Sequence, residues 1–259
     1  LGISVGEDGL YIIDDQVSPI TSQLLQAIRE ISDQPIRFVI NTHYHADHTG
    51  GNETIGGAGA VIIAHDNIRK RMSTEQISKF MNDTTPPYPK DALPVLTFND
   101  RMSLHLNGES ATAYYVANGH TDGDSIIHFP VSNVIHMGDM YFNGLYPYID
   151  LDAGGSMQGM IEAANLALSL ANENTDIIPG HGPLATTADL QAYRDFLVKA
   201  SSNVKALVDQ GMDLQQVIAA KPTSEWDETL GAVWITPPQF VTFIYNSHKG
   251  IRQYTPPDL

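Results

Sequence analysis

The order of apolar and polar positions divides the chain into strand-like and helix-like runs. Residues 3–5 and 10–13 flank Gly6-Glu7-Asp8-Gly9, the pattern of a β-hairpin. Ser18-Pro19 then opens a helix whose apolar residues, Ile20, Leu24, Ala27, Ile28 and Ile31, are spaced for one buried face. Pro35 ends it, and residues 36–40 read as a buried strand. Gly50-Gly51-Asn52 leads into a short second helix, 60–64 is a strand, 67–81 is helical and 84–89 is a loop. Five strand-like runs follow, 95–98, 102–106, 111–117, 125–129 and 134–137, separated by turns rich in Asn, Gly and Pro. Residues 156–171 form a helix, 176–178 a strand, 187–210 a long helix, and the remainder to Leu259 short helices. Strands then helices, twice over, predict an α/β fold: two mixed sheets face to face with helices on the outer faces, an αββα sandwich.

Composition narrows the partners. The apolar share, 42% of 259 residues, is enough to bury a large core. Fourteen basic against thirty acidic residues give a formal charge of −16, which repels phosphate backbones and anionic lipid and removes nucleic acid as a partner. No stretch approaches the roughly 18 apolar residues of a membrane span. With no cysteine, disulfides, thiol nucleophiles and thiolate ligands are all absent. The chain opens at Leu1 and runs straight into strand, so a leader or first strand is expected to precede it. Periplasmic, secreted and cytoplasmic locations all remain compatible, and oligomeric state is open.

Chemistry concentrates where the strand at 36–40 ends. Thr42-His43-Tyr44-His45-Ala46-Asp47-His48 holds three imidazoles and a carboxylate in six residues, more than a core tolerates without partners. A turn at a strand end can aim alternate side chains into one cavity, a donor set that zinc prefers and that also suits iron or manganese. Further candidates sit beside glycine at later strand-to-loop junctions: His120 in Gly119-His120-Thr121, Asp139 in Gly138-Asp139-Met140 and His181 in Gly180-His181-Gly182. His65, His105, His128, His136 and His248 lie outside these motifs and are assigned structural roles, His136 at most supporting Asp139.

H-x-H-x-D-H, then G-H-T, then G-D, then G-H-G resembles the metallo-β-lactamase superfamily, over roughly residues 2–183. The resemblance implies a catalytic core at 1–184 and a helical segment at 185–259 packed on the same domain. It implies two zinc ions per chain. His43, His45 and His120 would hold the first, Asp47, His48 and His181 the second, and Asp139 would bridge both. Two divalent ions roughly 3.5–4 Å apart lower the pKa of a shared water from near 15.7 toward about 7. A metal-bridging hydroxide is then the nucleophile, oriented by Asp47 as the catalytic carboxylate, and a small ester, thioester, lactone or lactam is opened.

Substrate signals are mixed. Lactamases of this superfamily that use a cysteine ligand carry it where this chain has Asp139, with lysine where it has Phe142. Those with H-x-H-x-D-H lack the bridging aspartate. Asp139 therefore resembles the pattern of glyoxalase II and the lactonases, and leaves only weak or promiscuous lactam hydrolysis. Tyr141, Phe142, Asn143 and Tyr146 are candidates for the substrate pocket, with Asn143, Tyr141 or Tyr146 donating to an oxyanion; equally, these rings simply pack the loop. The Tyr88 loop and Trp234 are further candidate walls. A nuclease would need basic surface that this chain lacks, and a diiron oxygen-reducing module would normally carry glutamate at His45.

Overall fold

The computed structural model describes residues 1–256, so the last three positions of the segment expected to be helical lie outside the described residues. In chain order the elements are β1 (Gly2–Gly6), β2 (Gly9–Ile13), α1 (Thr21–Ile31), β3 (Ile36–Ile40), α2 (Ala46–Thr49), α3 (Asn52–Gly57), β4 (Val61–His65) and α4 (Asp66–Met72). Then come β5 (Gln76–Ser78), β6 (Asp83–Thr85), β7 (Leu96–Phe98), β8 (Arg101–Leu106), β9 (Glu109–Tyr115), β10 (Ser125–Phe129) and β11 (Val134–His136). The rest is α5 (Met157–Leu170), β12 (Asp176–Ile178), β13 (Ala185–Thr186), α6 (Thr187–Asp209), α7 (Leu214–Ala219), α8 (Asp227–Leu230) and α9 (Pro237–Lys249). Two compact units result. The first comprises Leu1–Gln76, Thr85–Tyr115 and Gly123–Gly138, and the second Ile77–Thr84, Val116–Asp122 and the chain from Asp139 onward.

The first unit is built on strand periodicity. β1 and β2 form an antiparallel hairpin, and β2, β3, β4 and β7 continue in parallel. β8 to β11 make an antiparallel meander. In Leu10-Tyr11-Ile12-Ile13 successive side chains point to opposite faces, and both faces are covered, which is why the run is apolar throughout. Tyr11, Ile13, Ile40 and Ile63 meet Ala111, Ala113, Ile127 and Phe129 in a core between the two sheets. On the opposite face Leu10, Ile12, Val39 and Ile62 pack against Ile28 of α1 and Ile55 of α3. This helix–sheet–sheet order agrees with the expected layering.

Two expectations need correcting here. The face drawn for the first helix is too wide: Ile20 and Ile31 are 40% and 63% exposed, because only Ile28, with Leu24 and Leu25 beside it, reaches the sheet. The helix expected over 67–81 stops at Met72. Ser73 Oγ donates to the Arg69 carbonyl and Thr74 Oγ1 to that of Lys70, at 2.5 and 3.0 Å, so hydroxyls cap the last turn. Gln76 Nε2 then donates to the Arg71 carbonyl at 3.0 Å, and the chain turns into β5 instead of continuing the helix.

The second unit is a helical assembly on a short hairpin. β12 pairs antiparallel with β13, and α6 packs along both. Thr186 and Asp189 cap α6 reciprocally, which sets where this long helix starts. α5, α6, α7 and α9 pack on one another around stacked rings, with Tyr146 4.3 Å from Phe240 and 5.8 Å from Phe196.

Candidate metal centre

The histidine-rich segment is a rigid shelf at the end of β3. Asn41 takes the last sheet hydrogen bond, N–H to the Ile63 carbonyl, and its side chain exchanges amide bonds with Asn52. The single helical turn α2 follows, with the N–H groups of His48 and Thr49 and the Thr49 hydroxyl all donating to the His45 carbonyl. The turn expected at this strand end is thus helical, and it brings the rings together. His43 lies edge-on to His45 with centroids 4.8 Å apart and tilted against His48 at 4.1 Å, and Asp47 Oδ2 is 3.3 Å from His48 Nε2.

A carboxylate outside the motif organises that shelf. Asp14, at the end of β2, accepts the Thr42 backbone N–H at 2.7 Å, the Thr42 hydroxyl at 2.8 Å and His48 Nδ1–H at 2.7 Å. Since the Thr42 proton points at Asp14, Thr42 Oγ1 is left to accept from His43 Nδ1 at 3.2 Å. One buried carboxylate thus fixes both rings with Nδ1 protonated and the Nε2 lone pair available, the supporting arrangement that metal-binding imidazoles require. Burial pushes the Asp14 carboxyl up, but the electrostatic attraction and hydrogen bond of His48, the attraction of His136 and the Thr42 N–H outweigh it and hold it below the usual carboxylate range. Burial, opposed by the Gly51 N–H and reinforced by the Asp14 charge, sets the neighbouring Asp15 well above that range. In sequence Asp14 is marked only by the Asp14-Asp15 pair directly after an apolar run; in the structure it takes a left-handed φ of 62°.

In the second unit His120 is held the same way from a different partner. Its Nδ1–H donates to the Tyr148 carbonyl at 2.8 Å, and its ring is buried. The backbone around it is crowded, so glycines stand before and within the first turn of α5: a Cβ on Gly155 would sit 2.2 Å from the His120 carbonyl oxygen, and one on Gly159 1.8 Å from that of Asn118. Asp139 lies on a single 3-10 turn, Gly138–Met140, with its side chain only 4% exposed. Asp139 Oδ2 stands 3.6 Å from His120 Nε2 and 3.3 Å from His181 Nε2, a position between two imidazoles that suits a shared ligand. The His181 ring stacks on Phe142, 5.2 Å between centroids, and keeps 37% of its side chain exposed.

The seven residues singled out from sequence fall into two overlapping groups of donor atoms. His43, His45, His120 and Asp139 form one, and Asp47, His48, Asp139 and His181 the other; within each, one ligand atom per residue lies within 4.8 Å of all the rest. Imidazole nitrogens with fixed tautomers and carboxylate oxygens are the donor set of a divalent transition metal, so these residues fit such an ion. Four of the remaining five histidines hydrogen-bond outside these groups: His65 caps α4, His105 bonds Ser110, His248 bonds Ser201, and His136 accepts the Gly138 N–H.

The aromatic residues after Asp139 are mostly packing. Phe142 is buried and supports His181; Tyr141 stacks on Tyr193 at 4.7 Å; Asn143 Nδ2 donates to the Pro183 carbonyl at 2.9 Å. The buried Tyr146 hydroxyl lies 2.7 Å from Asp227 Oδ1 and 3.2 Å from the Thr223 carbonyl, so its hydrogen bonds are spent on the helical unit. Tyr146→Phe is therefore expected to cost roughly 1–2 kcal/mol, a fall in Tm of about 2–8 °C, with turnover intact. A thermal melt and a kinetic assay on the same variant check this, and lost turnover at unchanged Tm would return Tyr146 to the site.

Sheets layered with helices, carrying a cluster of histidines and aspartates at strand ends, define a class of metal-binding α/β proteins. The family model described as the metallo-beta-lactamase superfamily matches residues 5–182, and the chain belongs to that family and has its fold. It is similar to the 2,4-dinitroanisole O-demethylase subunit alpha of Nocardioides sp. (strain JS1661), 24% identical over 141 residues, 54% of this chain and 40% of that protein. It is also similar to hydroxyacylglutathione hydrolase of Maricaulis maris (strain MCS10), 30% identical over 105 residues, 39% of this chain and 32% of that protein. These matches thus take in well under half the length of either relative. Among solved structures, a metallo-beta-lactamase from Pontibacter korlensis superposes with a TM-score of 0.60 at 18% identity, covering 75% of this chain and 85% of that one. The sec-alkylsulfatase Pisa1 from Pseudomonas sp. superposes with a TM-score of 0.70 at 16% identity, covering 94% and 46%.

Proposed function

We propose that this protein is a dinuclear metal-dependent hydrolase, with two zinc ions, that opens a small, weakly charged carbonyl substrate such as an ester or lactone. The observation that carries this reading is the sharing of Asp139 by the two donor groups. His43, His45 and His120 would hold one ion and Asp47, His48 and His181 the other, with Asp139 available to both. When bound, such a pair supplies Lewis acidity and an activated water. The chain's own residues do the positioning: Asp14 and Thr42 keep His43 and His48 in one tautomer, and the Tyr148 carbonyl does so for His120. Asp47, with 37% of its side chain exposed, is the carboxylate placed to orient the attacking water.

A thioesterase is the second reading, supported by the relative named as a hydroxyacylglutathione hydrolase; the formal charge of −16 opposes an anionic thioester. The test is a panel of nitrocefin, acyl-homoserine lactones and S-lactoylglutathione on protein of measured metal content, with His48→Ala alongside. Lactone turnover with about two metals per chain, both reduced in the variant, is expected. A clear preference for the thioester would replace the first reading with the second.

A further inference from the structure

Resting on the hydrolase reading, we propose that the substrate carries an uncharged straight-chain acyl group that lies along an aromatic wall formed by Trp234 and Phe80 and backed by the buried Phe142. The wall begins at the candidate ligands. Phe142 stacks on the His181 ring with an interplanar angle of 18°. The Trp234 indole stands 6.4 Å from His181 and 6.5 Å from Phe142, so the three rings are mutual neighbours. Phe80 comes next, 6.3 Å from Trp234, and stacks at 4.8 Å on Tyr148, the residue whose carbonyl holds His120.

Exposure at Trp234 separates this wall from ordinary core; Phe80 is half-buried and Phe142 fully buried. Trp234 leaves 41% of its surface in solvent and is the one exposed aromatic ring among the described residues. Ile77 and Met81, close to Phe80 in sequence, are 63% and 54% exposed. The indole is nonetheless held in place. Ile235 beside it is fully buried, and Thr236 and Gln239 cap α9 reciprocally directly after that. An anchored, exposed indole beside a candidate ligand is a preorganised apolar surface, which lowers the entropy lost when a flexible chain is ordered on it.

The chemistry of the wall selects the occupant. Aromatic faces hold methylenes by desolvation and dispersion and give a carboxylate or phosphate nothing to bind. Lys79, next to Phe80, has its ammonium 2.6 Å from Gln253 Oε1, and Lys199 and Arg71 lie over Trp226 and Tyr44, not over Phe80 or Trp234. With a net charge of −16 as well, a neutral acyl chain fits where an anionic one does not. Because the chain is covered on one side only, each methylene should add roughly a factor of two, about half the effect of full burial.

Two readouts test the wall. The first is kcat/KM of the metal-loaded protein for p-nitrophenyl acetate, butyrate, hexanoate and octanoate. A rise of about fiftyfold across the six added methylenes is expected. The second is binding of non-hydrolysable methyl ketones of increasing length, followed by fluorescence in a Trp226→Phe background where Trp234 is the sole indole. Affinity should climb with chain length in parallel. Trp234→Ala and, independently, Phe80→Ala should each collapse the octanoate-to-acetate ratio, while Trp234→Phe retains part of it. Ester hydrolysis with no chain-length dependence in either readout overturns the wall and leaves the hydrolase standing. Chain-length-dependent ketone binding without hydrolysis of any ester keeps the wall and removes the hydrolase. A slope that survives in both alanine variants also overturns the proposal.

Discussion

Asp139→Asn is expected to abolish the proposed dinuclear site: on that reading bound metal falls from about two ions per chain to one or fewer, and kcat/KM drops by well over a hundredfold. The lower bound follows from outer-shell partners, whose loss already costs about 10- to 100-fold in metal affinity or activity. Asp139 has a larger part. Its Oδ2 faces the Nε2 atoms of both His120 and His181, and it belongs to both donor groups. An amide of the same shape keeps the packing but removes the negative charge and turns one acceptor into a donor aimed at an imidazole lone pair. Metal analysis after dialysis, with kinetics on the same sample, reads the outcome. Unchanged stoichiometry and turnover would show that Asp139 bridges nothing.

The second large effect is at a residue that touches no proposed ion. Asp14→Asn should weaken metal binding by about 10- to 100-fold and lower kcat/KM to match, with the fold retained. The asparagine can accept from the Thr42 N–H as Asp14 Oδ1 does, but its NH2 would then face the Thr42 hydroxyl and His48 Nδ1–H. Two donors cannot share that contact. His48 would have to move its proton to Nε2, so the nitrogen meant for the ion becomes a donor. Leaving a buried group unsatisfied costs roughly 1–3 kcal/mol of stability besides. Thr42→Val removes the hydroxyl relay to His43 and offers a milder comparison on the same metal titration. Full metal affinity in Asp14→Asn would mean that the ring is oriented by its own packing.

Much of this was legible without coordinates. The apolar runs at 10–13 and 36–40 announced strands, and the run over 187–210 announced the long helix. The seven candidate ligands stood out because three imidazoles and a carboxylate crowd one strand end and glycine flanks the other three positions. Other features were not legible. The stop at Met72 depends on side-chain hydroxyls turning back on the last carbonyls, which an apolar period does not register. Asp14 acts on residues 28 and 34 positions away, and an aspartate after a strand reads in isolation as a turn residue.

Sequence alone determined what is local: where strands and helices begin, which residue types could coordinate an ion, and that the surface is acidic. Those properties depend on spacing, capping and composition along a continuous stretch. Tertiary structure decided which imidazole nitrogen carries the proton, which tyrosine hydroxyl is spent on helix packing, and which single aromatic ring stays in water beside His181. These depend on hydrogen bonds and burial between segments far apart in the chain, and no local pattern encodes which distant groups will meet.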